Sequence, residues 1–230
     1  MAYVVVAIVG ISLVVGAVWG VRFPPSDDVE GFVVALAGGA LLVSAMSELI
    51  EPAIDRASIV PVGAAVLVGA AVFSGIDRLV DERWGGDSGG GLLAAITLDG
   101  IPENLALGVV LISSGPLEVA AIAGSIILSN LPEAAGGAKG MTGSGRDSRA
   151  ILGLWTVTAI VLSASAVVGK VALASASEVT LSLIQSFAAG AVIASLATEV
   201  FPKAFHEDRQ VAGLAAAAGT VLALALGQLG

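Results

Sequence analysis

Apolar residues run along this chain in eight blocks with short polar breaks between them. The blocks cover roughly 2–21, 31–51, 59–79, 91–112, 117–138, 150–170, 180–201 and 210–229. A helix crosses a bilayer with about 20 mostly apolar residues, and a buried core helix has only about 10–14. The pattern predicts an all-α integral membrane protein with eight transmembrane helices. Only short connections join the blocks, so residues 1–230 read as one transmembrane domain. The first block, Ala2 to Val21, carries no charge and lacks the positive start of a signal peptide, so it reads as a retained span.

Composition narrows the class. Of 230 residues, 57% are hydrophobic and only 13% charged, against about 25% charged in soluble domains. Mean hydropathy is +0.99. The absence of cysteine excludes disulfides and thiolate metal sites, and the single histidine, His206, excludes a multi-histidine zinc site within one chain. The net charge of −9 argues against nucleic acid as a partner. The thirty glycines exceed what loops require and suit close helix packing, which also allows a homodimer.

The basic residues set an orientation. Connections one, three, five and seven hold Arg22; Arg78 and Arg83; Lys139, Arg146 and Arg149; Lys203 and Arg209, while the other side holds only Arg56 and Lys170. The positive-inside rule places the first group in the cytoplasm and both termini outside, in a multi-pass protein of the cell membrane. Trp19, Trp84 and Trp155 fall near predicted span ends, where interfacial tryptophans are expected. The connections are acidic, with Asp27, Asp28 and Glu30, then Asp81, Glu82 and Asp87.

Two internal repeats stand out. In blocks four and five, Leu98-Asp99-Gly100-Ile101-Pro102-Glu103 matches Leu128-Ser129-Asn130-Leu131-Pro132-Glu133, 30 residues on. In blocks two and seven, Gly39-Ala40 and Glu48 match Gly190-Ala191 and Glu199, 151 residues on, and Pro52 and Pro202 follow. Transporters often carry such symmetry, with the substrate at the repeat interface.

Six acids lie inside the predicted spans: Glu48, Glu51, Asp99, Glu103, Glu133 and Glu199. A carboxylate at the bilayer centre costs about 2.5–3.5 kcal/mol, so six would cost roughly 15–20 kcal/mol if central, ionised and independent. Basic residues sit only near span ends, which makes a structural salt bridge a poor account of Asp99, Glu103 and Glu133. Protonation, a hydrogen-bond network, a wet cavity or a bound cation remain. Asp99 and Glu103 share a helix face at i, i+4, as do Ser129 and Glu133. Turned together, with the Asn130 amide, these faces would form an oxygen-rich cation cage. Pro102 and Pro132 cannot donate to the carbonyls of Leu98 and Leu128, so both helices are expected to break beside the acids, as lining a cavity permits. Glu48 and Glu199 lie deep enough to contribute. Glu51 reads as an interfacial acid and His206 as a solvated loop residue.

These residues resemble the ZIP (zinc- and iron-regulated transporter-like) family of divalent metal transporters, whose fourth and fifth helices carry motifs like H-N-x-P-E-G. Here residues 99–108 read D-G-I-P-E-N-L-A-L-G and residues 129–138 read S-N-L-P-E-A-A-G-G-A. S-E-L-I-E-P-A (47–53) and T-E-V-F-P-K-A (198–204) are similar to the family's second and seventh helices. The resemblance covers essentially the whole chain. It implies eight spans with both termini outside, alternating access, dimers among relatives, and a primary metal site at Asp99, Glu103, Ser129 and Glu133. Gly100 and Asn130 fall where relatives often place a second-site ligand. Asp99 and Ser129 stand at the motif's histidine positions, Asn104 and Ala134 replace its glycines, and block six has no carboxylate.

Loss of the imidazoles shifts the metal expectation. Carboxylate, hydroxyl and carbonyl oxygens favour harder cations, whereas zinc commonly takes His and Cys. Manganese or iron(II) is therefore expected ahead of zinc, as cargo in a one-metal site rather than as a cofactor. The alternative is a non-transporting membrane protein that binds metal for sensing, or a structural partner. An enzyme is not expected: buried Ser-His and Cys-His pairs are missing, and only Asp99 among the aspartates lies deep in a span. A proton-only pathway is a further reading.

Overall fold

The computed structural model describes residues 2–84, 89–207 and 210–228; the side chains of 81, 83–84, 89–96, 99 and 226–228 lie outside that description. The described residues form helices joined by short turns: α1 (Ala2–Arg22), α2 (Asp27–Ser44), α3 (Glu51–Ala57), α4 (Ile59–Trp84), α5 (Gly89–Ser113), α6 (Pro116–Gly143), α7 (Ser148–Ala172), α8 (Glu178–Ser195), α9 (Phe201–Glu207) and α10 (Ala212–Gln228). Each apolar block coincides with one helical rod, since α2 runs into α3, and α8 into α9, through a widened π turn. Among the described residues, six helical segments are long and apolar enough to cross a membrane. Blocks four and eight are represented by shorter apolar stretches, Gly100–Ser113 and Ala212–Ala225. The outward faces are apolar: Ile11 is 57% exposed, Leu67 73% and Ile160 63%. Monomeric soluble proteins rarely expose contiguous apolar patches of this kind, and lipid is the solvent that suits them.

The helices divide into two bundles. Helices α1, α5, α6 and α7 pack mainly on one another, as do α2–α3, α4, α8–α9 and α10. Small residues build each bundle. A Cβ at Gly39 would strike the Ala216 carbonyl, and one at Gly219 the Leu36 carbonyl, so α2 and α10 touch backbone to backbone. Gly190 against Val66 and Gly69 against Phe187 do the same for α8 and α4. Adding 151 to Leu36 and Gly39 gives Phe187 and Gly190; adding 150 to Val66 and Gly69 gives Ala216 and Gly219. The second bundle is thus a repeated pair of helices with a shared packing register. In the first bundle, Gly16 and Gly20 seat α1 on the Leu131 and Ala135 carbonyls of α6, and Gly108 seats α5 on the Ala166 carbonyl of α7. Across the seam between bundles, α2 meets α6 and α5 meets α8, and apolar side chains of both bundles share one core cluster.

Three expectations change. The helices do not break at the prolines: α5 continues through Pro102 and α6 through Pro132. One missing amide leaves most of a helix ladder intact, and the Asn104 side chain donates to the Gly100 carbonyl at 2.8 Å within that turn. The irregularities fall instead at Ala45–Ile50 and Leu196–Val200, where the Glu51 amide reaches the Met46 carbonyl and the Phe201 amide the Leu196 carbonyl. Pro52 and Pro202 follow directly. Trp155 is not interfacial: it is fully buried with Leu13, Ala17 and Met141 between α1, α6 and α7. Trp19 is half-buried, and the side chain of Trp84 lies outside the described residues. His206 is exposed as expected, on the last turn of α9 rather than in a loop.

A candidate carboxylate site at the bundle seam

Glu103 is carried by α5 to the seam, one residue beyond Pro102. Its side chain lines a cavity with Leu41, Ser44 and Leu49 from the α2 rod, Ile122 and Ile126 from α6, and Val192 from α8. The cavity measures about 10 Å³, close to the least that holds one water molecule. Helices of both bundles therefore border one half-buried acid and a water-sized space. Ser44 and Ser125 meet beside it, their Oγ atoms 2.6 Å apart and both buried. Spacing explains the meeting. Residues 30, 37, 41 and 44 form one stripe of α2, at steps of seven, four and three, and residues 139, 136, 132, 129 and 125 one stripe of α6, at steps of three and four. The two stripes run antiparallel, with Ser44 on Ser125 at one point and Glu30 on Lys139 fourteen residues away.

The remaining predicted ligands are distributed as follows. Ser129 is buried at 7% exposure on the same α6 stripe. Glu133 is half-buried one helical turn further on. Glu103, Glu133 and Glu199 each engage a polar or electrostatic partner. Asn130 is buried, but its Nδ2 donates to the Val9 carbonyl at 3.2 Å and to Ser12 Oγ at 3.1 Å, tying α6 to α1. Glu48 and Glu199 occupy the two π turns, half-buried, and Oε1 of Glu199 is sealed from solvent. Glu51 and Glu118 lie within electrostatic reach of Glu48, and Glu51 is exposed. The side chain of Asp99 lies outside the described residues.

Sequence reasoning missed Ser44 and Ser125, since isolated serines in apolar helices carry no distinguishing pattern. It also left Glu30 among the acidic connections. In the structure Glu30 sits in the first turn of α2, buried at 4% exposure, and accepts from Lys139 at 3.1 Å and Lys203 at 2.8 Å. Lys139 also reaches Asp27 at 2.5 Å. Carboxylate oxygens of Asp27, Glu30 and Glu207 lie within 4.8 Å of one another. The signal was available: Pro25-Ser26 followed by Asp27, Asp28 and Glu30 is a helix start with acids in its first turn.

No known protein-family model matches the chain, and no curated protein matches it.

Proposed function

We propose that this protein carries a divalent metal cation across a cell membrane, as an eight-span transporter of the ZIP kind that has lost its motif histidines. The observation that carries the reading is Glu103: a carboxylate on a water-sized cavity, between two bundles that are each knitted backbone to backbone. A carboxylate at membrane depth marks a functional site by default, and a dehydrated cation is a ligand that its charge suits. Glu103, Glu133 and the Asp99 position would replace the water shell, with the Ser129 hydroxyl, and Glu48 and Glu199 would act along the path. Alternating access would come from one bundle moving against the other across the seam. With Arg22, Lys139 and Lys203 on the cytoplasmic side, both termini lie outside. Oxygen ligands favour manganese or iron(II) over zinc, and proton exchange at the carboxylates would aid release.

The test is flux into proteoliposomes with Mn, Fe(II), Zn, Cd, Co and Mg offered separately. At least one metal should move, and Glu103→Gln/Glu133→Gln should abolish its uptake while the protein remains folded. Wild-type uptake in the double variant would reject the site. Metal binding without flux, in correctly inserted protein, would replace transport by sensing or a structural role.

A further inference from the structure

From the Glu30–Lys139 pair we infer that the end of the seam near Arg22 is held shut by an ionic latch, which must part before that side of the cavity opens. The inference rests on the reading that the bundles move against each other, and it adds which residues hold them together and at which end.

Lys139 belongs to α6 in the first bundle, and Glu30 and Asp27 belong to α2 in the second. Lys203, on α9, binds the same Glu30 but from within the second bundle. Two lysines thus serve one acid; the ammonium of Lys203 also lies beside Gly136, but of the two ion pairs only that of Lys139 crosses the seam. The Glu30 side chain is 5% exposed, while Lys139 is 28% and Asp27 72% exposed. The contact therefore reaches from a buried acid to the surface. Gly136 makes room for it: a Cβ there would collide with Glu30 Oε1. A helix turn of the first bundle is left bare so that an acid of the second can lie against it.

The rest of the seam closes differently. Around the cavity, and on its far side, apolar residues such as Leu49, Val110 and Ile122 interlock in the largest core cluster. Near Arg22, charge does the corresponding work, across an edge that water reaches. Ion pairs that reach water are broken and re-formed at low cost compared with withdrawing interlocked apolar side chains, so this is the end built to part. When it does, Lys139 leaves with its bundle, and Glu30 keeps Lys203 as its partner. The buried acid of the latch therefore keeps one cation when the seam parts.

The chain has no cysteine, so a single introduced thiol reports the opening. Ala37 is 2% exposed and lies two turns from Glu30 on the α2 stripe that continues to Leu41 and Ser44. Detergent-purified, full-length Ala37→Cys protein would be treated with a small charged methanethiosulfonate, and the labelling rate measured. Lys139→Met should raise the rate at least fivefold. Lys203→Met, the same change against the same acid but within one bundle, should leave it within twofold. KCl at 1 M, where the screening length is about 3 Å, should accelerate labelling in the Lys139 protein and not in Lys139→Met. Equal rates with and without Lys139, or an equal rise from Lys203→Met, would overturn the latch. If Lys139→Met fails to fold, the salt response of the parent decides, and its absence overturns the proposal. Labelling needs neither metal nor flux, so failure here leaves the transport reading to the Glu103 experiment.

Discussion

Ser44 and Ser125 place their hydroxyl oxygens 2.6 Å apart across the boundary between the two bundles, and Ser44 lines the Glu103 cavity. This side-chain hydrogen bond couples them directly. Hydrogen bonds between membrane helices average about 0.6 kcal/mol, with a maximum near 1.7 kcal/mol. Ser125→Ala should lower stability by roughly 0.5–1.5 kcal/mol in detergent unfolding. Ser44→Ala/Ser125→Ala should cost less than the sum of the single changes. Additive single changes would mean that the pair is adjacent without being coupled.

The glycines at backbone contacts predict a position-dependent response. Gly39→Ala and Gly190→Ala put a methyl group into a neighbouring carbonyl, and overpacking of this kind costs about 1–3 kcal/mol. Gly153, exposed on α7, has nothing within 4 Å of an added Cβ. Gly153→Ala should be neutral or stabilising by up to about 1 kcal/mol through helix propensity. Thermal unfolding of the three variants in one detergent checks the contrast.

Trp155 is completely buried, and its Nε1 has no hydrogen-bond partner among the described residues. Trp155→Phe removes that donor and keeps most of the ring volume, so its melting temperature should fall little, for a change within about 1.5 kcal/mol. Trp155→Ala opens a cavity between α1, α6 and α7 and should cost about 3–5 kcal/mol. A phenylalanine variant as unstable as the alanine one would show that the indole nitrogen, rather than the volume, matters.

Metal preference offers a test of the oxygen-ligand argument. Ser129 stands where the resembling motif has histidine, and it is buried on the seam-facing stripe of α6. Ser129→His should move the ratio of zinc to manganese uptake at least tenfold towards zinc, since imidazole suits zinc better than a hydroxyl does. An unchanged ratio, with flux retained, would place Ser129 outside the coordination shell.

The apolar blocks were legible because membrane helices must satisfy hydrophobic length along the chain, and each block became one rod. The repeat between blocks two and seven was legible in Gly39-Ala40 and Gly190-Ala191, whose side-chain-free surfaces set the same backbone contact twice. The helix starts were less so. Glu30 read as a loop acid because its burial depends on Lys139 and Lys203, 109 and 173 residues away. The partners of the Asn130 amide nitrogen were hidden for a similar reason: only the approach of α1 brings Val9 and Ser12 to it. Pro102 and Pro132 suggested breaks because a missing donor is visible in sequence, whereas the ladder around it is not.

The two π turns are unequal, and the inequality acts like a vernier. Up to Glu48 and Glu199 the repeats are offset by 151 residues; from Glu51 and Phe201 onward the offset is 150. One surplus residue would rotate everything after it by about 100° on a regular helix. The wider turn of α2 absorbs it, so Gly69 and Gly219 downstream still reach matching carbonyls. The duplicated pairs are therefore in phase at the contacts of Gly39, Gly190, Gly69 and Gly219, and the shift of one residue falls just beyond the two acids. Glu48 and Glu199 therefore stand at the joint where the two halves change register.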